Sequence, residues 1–142
     1  MNNRFLFNYL IIIVFFFSCD YSGSSNEETE PSLVSLSIGQ VTEEYIEILY
    51  SSNYLIAGFQ FSVSGFEISG ASGGAAGDAG FTVSTGSNMV LGFSIEGSTI
   101  PAGSGALTKL SYTEISSNIC IGDIIISDPV GSELESNEID CN

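Results

Sequence analysis

Residues 55–64 read Leu55-Ile-Ala-Gly-Phe-Gln-Phe-Ser-Val-Ser64. Leu55, Ala57, Phe59, Phe61 and Val63 are apolar at every second position, and Gly58, Gln60, Ser62 and Ser64 fall between them. Successive side chains of an extended chain point to opposite faces, so this period predicts a β-strand with one buried and one wet face. Working outward, Leu33–Ile38 alternates in the same way and predicts an opening strand, with Gly39-Gln40 as its turn. Tyr45–Tyr50 predicts a second strand, carrying Ile46, Ile48 and Tyr50 on one face. Phe66 and Ile68 form a brief strand after Gly65, and Phe81–Ser84 another. In Met89–Ile95 the residues Met89, Leu91, Phe93 and Ile95 alternate with Val90, Gly92 and Ser94. That parity puts Leu91 and Phe93 in the core with Phe59 and Phe61.

Further on, Ala106–Tyr112 places Leu107 and Leu110 at opposite parity, which predicts a bulge between them. Ile119–Ser127 is the last long strand, and Asp128-Pro-Val-Gly131 turns the chain into Glu133–Asn142, a polar, acidic end with Leu134 and Ile139 as its apolar anchors. About eight or nine short strands at roughly 8–12-residue spacing, with turn residues between, indicate one antiparallel β-sandwich. Strands do not alternate with long helical patterns, which excludes a doubly wound α/β sheet. The glycine-rich stretch Gly70–Gly80 lacks both the lysine of a phosphate-binding loop and a following amphipathic helix. It reads as a structural loop with a short alanine turn inside it.

At 142 residues the chain has room for one domain and a targeting segment. Met1–Asn8 carries one cation, Arg4, and Tyr9–Phe17 is an unbroken apolar run ending in Ser18-Cys19. This is the layout of an export signal, too short for the roughly 20 residues that span a bilayer. Phe16-Phe-Ser-Cys19 resembles the lipobox of bacterial lipoproteins, although Phe16 stands where that motif usually has leucine. The resemblance implies cleavage before Cys19 and a lipid on its thiol, with ordinary secretion or an uncleaved anchor as the alternatives. The expected organisation is a signal peptide over 1–18, a lipidated Cys19 with a flexible acidic tether over 19–32, and the sandwich over 33–142. Removing residues 1–18 takes Arg4 away and leaves Lys109 against 17 acids, a side-chain charge of −16. Such a surface repels nucleic acid and keeps a domain solvated.

With Cys19 assigned to lipid, Cys120 and Cys141 are an even pair in an exported chain, and a disulfide is expected over two free thiols. Two cysteines with no histidine exclude an ordinary zinc site. The chain has no histidine base, no G-x-S-x-G and no H-E-x-x-H, and Glu43/Glu44 and Glu133/Glu135 sit where no cleft is expected. A non-catalytic protein without cofactor follows. Asp123, Asp128 and Glu133 read as solvated acids rather than a calcium site, because no calcium-loop spacing joins them.

Three stretches carry a resemblance to cohesin domains, a β-sandwich family related to carbohydrate-binding modules. They are Ile56-Ala-Gly-Phe-Gln-Phe-Ser-Val63, Met89-Val-Leu-Gly-Phe-Ser94 and Ile100-Pro-Ala-Gly-Ser-Gly-Ala-Leu-Thr-Lys-Leu110. The resemblance spans about residues 33–127 and implies a jelly-roll type sandwich that attaches one protein to another. Classical cohesins bind dockerins, but none of these residues maps onto a dockerin-binding face. The alternative is a polysaccharide-binding accessory using exposed aromatics. With no tryptophan in the chain, the ligand-binding candidates are Tyr45 and Tyr54, while Tyr112 is as readily a core residue. The expected partners are a membrane through the lipid on Cys19, and an exported protein or a polysaccharide. Periplasm, outer membrane and cell surface are all open as the location.

Overall fold

A computed structural model of the chain describes residues 34–142. The signal peptide, the Cys19 lipid site, the tether and the first residue expected of the opening strand, Leu33, lie outside the described residues. Eight strands occur in the order β1 (Val34–Val41), β2 (Tyr45–Ser52), β3 (Gly58–Ser72), β4 (Thr82–Thr85), β5 (Met89–Phe93), β6 (Gly103–Ser127), β7 (Glu133–Leu134) and β8 (Asp140–Cys141). A five-residue helix, α1 (Gly74–Asp78), interrupts them. The strand order is β1-β2-β6-β3-β5-β4, every pair antiparallel, with β7 and β8 added to β6. The all-β antiparallel sandwich expected from the alternation is therefore present.

The strands are fewer and longer than their turn residues suggest. Ala106–Tyr112 and Ile119–Ser127 are two parts of the 25-residue β6, and Phe66 and Ile68 belong to the 15-residue β3. Thr113–Asn118 offers no glycine or proline to end a strand, and it pairs across to Phe66 and Glu67. The kink comes at Gly65 (φ 88°), whose missing Cβ would stand 2.1 Å from the Asn118 carbonyl oxygen. Gly103–Ser111 of β6 pairs with β2 and Lys109–Ser127 pairs with β3, so both neighbours meet β6 over Lys109–Ser111. This shared strand carries one ladder through both layers around a common core of Leu36, Ile46, Ile48, Phe61, Leu110, Ile121 and Ile126. The bulge expected in β6 is found at Leu107, where the register with β2 slips and Leu107 and Thr108 are both buried.

Several local expectations are corrected. Gly39-Gln40 is not a turn, because β1 continues to Val41 through an irregularity. The reversal comes at Thr42, whose Oγ1 accepts from the Tyr45 N–H at 3.0 Å and whose own N–H donates to the Tyr45 carbonyl at 2.9 Å. The strand expected from Leu55 starts at Gly58; Ile56 makes only an isolated bridge to Ile100, and Leu55 is exposed. Ile139 is 68% exposed and is no core anchor, whereas Leu134 is buried as expected. The glycine-rich stretch is split: Gly70–Ser72 extends β3, and Gly74–Asp78 is helical with Ala76 buried.

The largest correction concerns β5. Leu91 and Phe93 face outward, 43% and 37% exposed, while Val90 is fully buried. The register explains it. Phe59 stands opposite Gly92 and Phe61 opposite Val90, and side chains of directly paired residues share a face. Since both phenylalanines point inward, Val90 and Gly92 must too. Gly92 has no Cβ because the Phe59 ring fills its place: a Cβ there would come 2.1 Å from Phe59 Cζ. Phe59 in turn stacks on Phe61 and Phe81, each with centroids 6.1 Å apart.

Gly92→Ala is expected to destabilise the domain by about 1–3 kcal/mol through overpacking against Phe59, whereas Leu91→Ala costs about 0.5 kcal/mol or less. Denaturant midpoints of the two variants measure this, and a reversed ranking contradicts the register. The Cys120–Cys141 disulfide makes the protein lighter by two hydrogens in intact mass than its reduced form.

Candidate functional site

The outward face of the layer formed by β4, β5, β3 and the second half of β6 carries the exposed apolar side chains that the core does not use. The pairings set them in rows. Ser84, Leu91, Gln60 and Ile125 form one row, and Thr82, Phe93, Gly58 and Ser127 form the next. Met89, Ser62 and Gly122 continue the face. Leu91, Phe93 and Ile125, the last 45% exposed, therefore lie close together on a sheet whose other residues here are small or uncharged. Apolar side chains grouped on one sheet face, rather than scattered singly, make this face the candidate interaction surface.

Acids border this face. Asp123 is the single non-glycine residue with positive φ (47°) among the described residues, and it sits at the register slip between Gln60 and Ser62. An aspartate tolerates this backbone better than a branched residue. Its Oδ2 accepts from Ser62 Oγ at 2.8 Å, so the slip turns a carboxylate onto the face. Beyond Ile125 an open cleft of ≈ 1010 Å³ runs over β6 and the C-terminal segment, lined by Ile125, Leu134 and Ile139 with Asp123, Glu133, Glu135 and Glu138. Ile139 Cγ1 would lie 3.5 Å from a Cβ at Gly122, so this side chain covers the glycine and extends the apolar surface. Glu133 and Glu135, expected in a context without a cleft, thus do line one.

The residues singled out from the sequence are dispersed. Tyr45 opens β2 and Tyr54 lies two residues beyond its end, on the order of 25 Å away along an extended strand. The two do not form one platform. Lys109, the one cation among the described residues, sits 4.7 Å from the Tyr45 ring centroid and covers it, while Tyr54 is exposed. Tyr112 is partly buried: its hydroxyl donates to the Thr42 carbonyl at 2.6 Å and its ring meets Phe66 edge-on. Asp128 caps its own turn, accepting from the Val130 and Ser132 N–H groups. Among the described residues no three Cys, Asp or Glu side chains are placed to hold a metal ion. Cys120 and Cys141 meet as expected and join β8 to β6.

The sequence hides the apolar face because an alternating Met89–Ile95 reads as core when parity is taken strand by strand. Gly92 is the available signal. A glycine flanked by large apolar residues marks the side against which another side chain packs closely, and therefore the inner side.

No family model matches the sequence, and no curated protein matches it. Solved structures do. The non-cellulosomal cohesin from the hyperthermophilic archaeon Archaeoglobus fulgidus superposes with a TM-score of 0.54 at 13% identity, covering 76% of this chain and 89% of that one. CaCohA2 in its complex with CaDoc0917 gives 0.53 at 13% identity, over 76% of this chain and 96% of that one. CaCohA2 from Clostridium acetobutylicum in solution gives 0.51 at 15% identity, over 78% and 89%. At these identities the likeness concerns the fold. Residues 34–142 form a cohesin-like β-sandwich.

Proposed function

We propose that this chain is a non-catalytic exported lipoprotein that presents its cohesin-like sandwich for protein–protein attachment at the cell envelope, through the outer face of β5, β3 and β6. The observation that carries the reading is the exposure of Leu91, Phe93 and Ile125 in two adjacent rows of a face bordered by Asp123 and Glu133. Desolvating apolar side chains at the centre of a contact supplies its affinity, and charges at the rim select the partner. With acids at its own rim, the face suits an exported protein that offers an apolar centre and a Lys/Arg border. The similar CaCohA2 was solved in complex with CaDoc0917, which supports a protein partner over a small ligand.

A disulfide suits an oxidising compartment outside the cytoplasm. The lipid on Cys19 and the acidic tether would hold the domain off a membrane, leaving the face free. In the alternative reading, polysaccharide binds through Tyr45 and Tyr54. Their separation along β2 and the lysine over Tyr45 weigh against a continuous sugar platform.

Leu91→Asp and Ile125→Asp, both at exposed positions, are expected to leave the fold intact and to weaken binding of an envelope protein retained by the wild-type chain by at least about 10-fold each. Affinity capture from a solubilised envelope fraction, followed by titration with the recovered protein, measures this. Glycan binding abolished by Tyr54→Ala, with both aspartate variants unaffected, would overturn it in favour of the polysaccharide reading. Cys19→Ser is expected to move the protein from the membrane fraction to the soluble fraction; retention on the membrane would contradict the lipid anchor.

A further inference from the structure

The edge of β1 away from β2 would present unpaired backbone groups to solvent, yet it is covered. The C-terminal segment runs beside it and supplies a partner at every second residue. The Val34 N–H donates to the Glu135 carbonyl at 3.0 Å, the Leu36 N–H to Asn137 Oδ1 at 2.8 Å, and the Ile38 N–H to Asp140 Oδ2 at 2.8 Å. The Leu36 carbonyl accepts from Asn137 Nδ2, also at 2.8 Å. Only the first of these bonds joins backbone to backbone. The Asn137 carboxamide is a peptide group in miniature, with donor and acceptor in one plane, so it makes both bonds that a paired strand residue would make. The segment therefore works as a strand surrogate built largely from side chains.

Two short strands at its ends hold the surrogate on β6: Glu133–Leu134 opposite Ile126–Ser127 and Asp140–Cys141 opposite Cys120–Ile121. Leu134 is buried opposite Ile126 at its start, and Ser136 Oγ donates to the Ile124 carbonyl at 3.2 Å. At its end Cys141 is bonded to Cys120, and the Asn142 N–H donates to the Ile119 carbonyl at 2.8 Å. Glu133, Glu135 and Glu138 stand along it, and the one cation among the described residues, Lys109, lies over Tyr45 instead. Mutual repulsion of these acids favours departure of the segment. What lies beneath is an edge in need of a cover. Val34–Val41 is eight residues long and alternates apolar residues, without one charge or proline to discourage pairing with another strand.

We propose that Glu133–Asn142 is a latched cover for the β1 edge, that Cys120–Cys141 is its latch, and that opening the latch lets β1 pair with β1 of a second copy of this chain. The opening step is thiol–disulfide exchange: an external dithiol is oxidised to its disulfide while Cys120–Cys141 accepts two electrons and two protons to become two thiols. Cys141 is exposed and open to that attack. A second copy is the fitting occupant because two antiparallel β1 strands related by a two-fold axis keep their inward side chains on the same side of the joined sheet. The acidity of each copy opposes this pairing, so salt favours it. The latch does not need the attachment face, although the departing segment would carry Glu133 and Ile139 away from its border.

Amide hydrogen exchange on the full chain tests it, comparing the oxidised protein, the protein treated with a dithiol, and Asn137→Ala with the disulfide intact. On reduction at low salt and low protein concentration, where β1 stays unpaired, the Leu36 and Ile38 amides are expected to exchange on the order of 100-fold faster, as a locally opened edge does. Ser35 and Ser37, whose N–H groups alternate toward β2, stay protected. Asn137→Ala accelerates Leu36 selectively with the latch closed. In high salt the reduced protein sediments as a dimer and reverts to a monomer on reoxidation. Unchanged exchange at Leu36 and Ile38 in the reduced monomer at low salt would overturn the latch, as would equal loss of protection at Ser35 and Ser37, which marks global unfolding. An opened edge on a protein that remains monomeric would overturn the second copy as occupant.

Discussion

The structure depends on one strand that belongs to both layers. Gly103–Ser111 of β6 lies beside β2 and Lys109–Ser127 lies beside β3, so the two layers are parts of a single hydrogen-bonded ladder that overlaps at Lys109–Ser111. A continuous backbone through both sheets fixes their relative position without a separate interface, and inward side chains from both halves feed the same core. Such a strand cannot be regular over 25 residues. It bends at the slips beside Leu107, opposite Gly65 and at Asp123, each where a bulge adds twist or redirects a side chain. Asp123 shows how such a bend acquires chemical meaning, since the same slip that relieves the ladder delivers a carboxylate onto the candidate attachment face.

Register then passes inside and outside from strand to strand. Once β6 orients β3, with Phe59 and Phe61 inward, the pairing of β3 with β5 leaves Val90 and Gly92 no choice of side. Leu91 and Phe93 are consequently displayed, exposing apolar surface that the fold itself does not require. Apolar residues on the wet side of this strand are what a docking face needs. The opposite layer shows the contrasting arrangement. There the lone lysine of the described residues lies over the Tyr45 ring, so no cation among those residues interrupts the anionic border of β5, β3 and β6.

Much of the fold is legible in the sequence, for physical reasons that also set the limits. Alternation in Tyr45–Tyr50 and in Phe59–Val63 identifies the buried faces correctly, because one parity is apolar and the other largely polar. The opposite parity of Leu107 and Leu110 announces a bulge. The cysteine count anticipates the bond that closes the C-terminal segment on β6. Alternation fails at β5, where the displayed side chains are larger than the buried ones; only pairing with Phe59 and Phe61 decides the side. Strand length fails in β3 and β6, because Gly65 and Thr113–Asn118 bend the ladder without ending it. The cover on β1 is illegible, since Asn137 and Asp140 look like tail residues until the edge they satisfy lies beside them. The candidate tyrosines rest on residue type, and type alone says nothing of their separation along β2.

The most direct test of the central claim is methyl-resolved NMR of the oxidised protein in the presence of a soluble paramagnetic agent. The account predicts strong broadening of the Leu91 and Ile125 methyl signals, while those of Val90 and Ile126 one residue away stay sharp, and it predicts that a bound protein partner shields Leu91 and Ile125 again. Broadened Val90 with protected Leu91 would reverse the register of β5 and remove the attachment face.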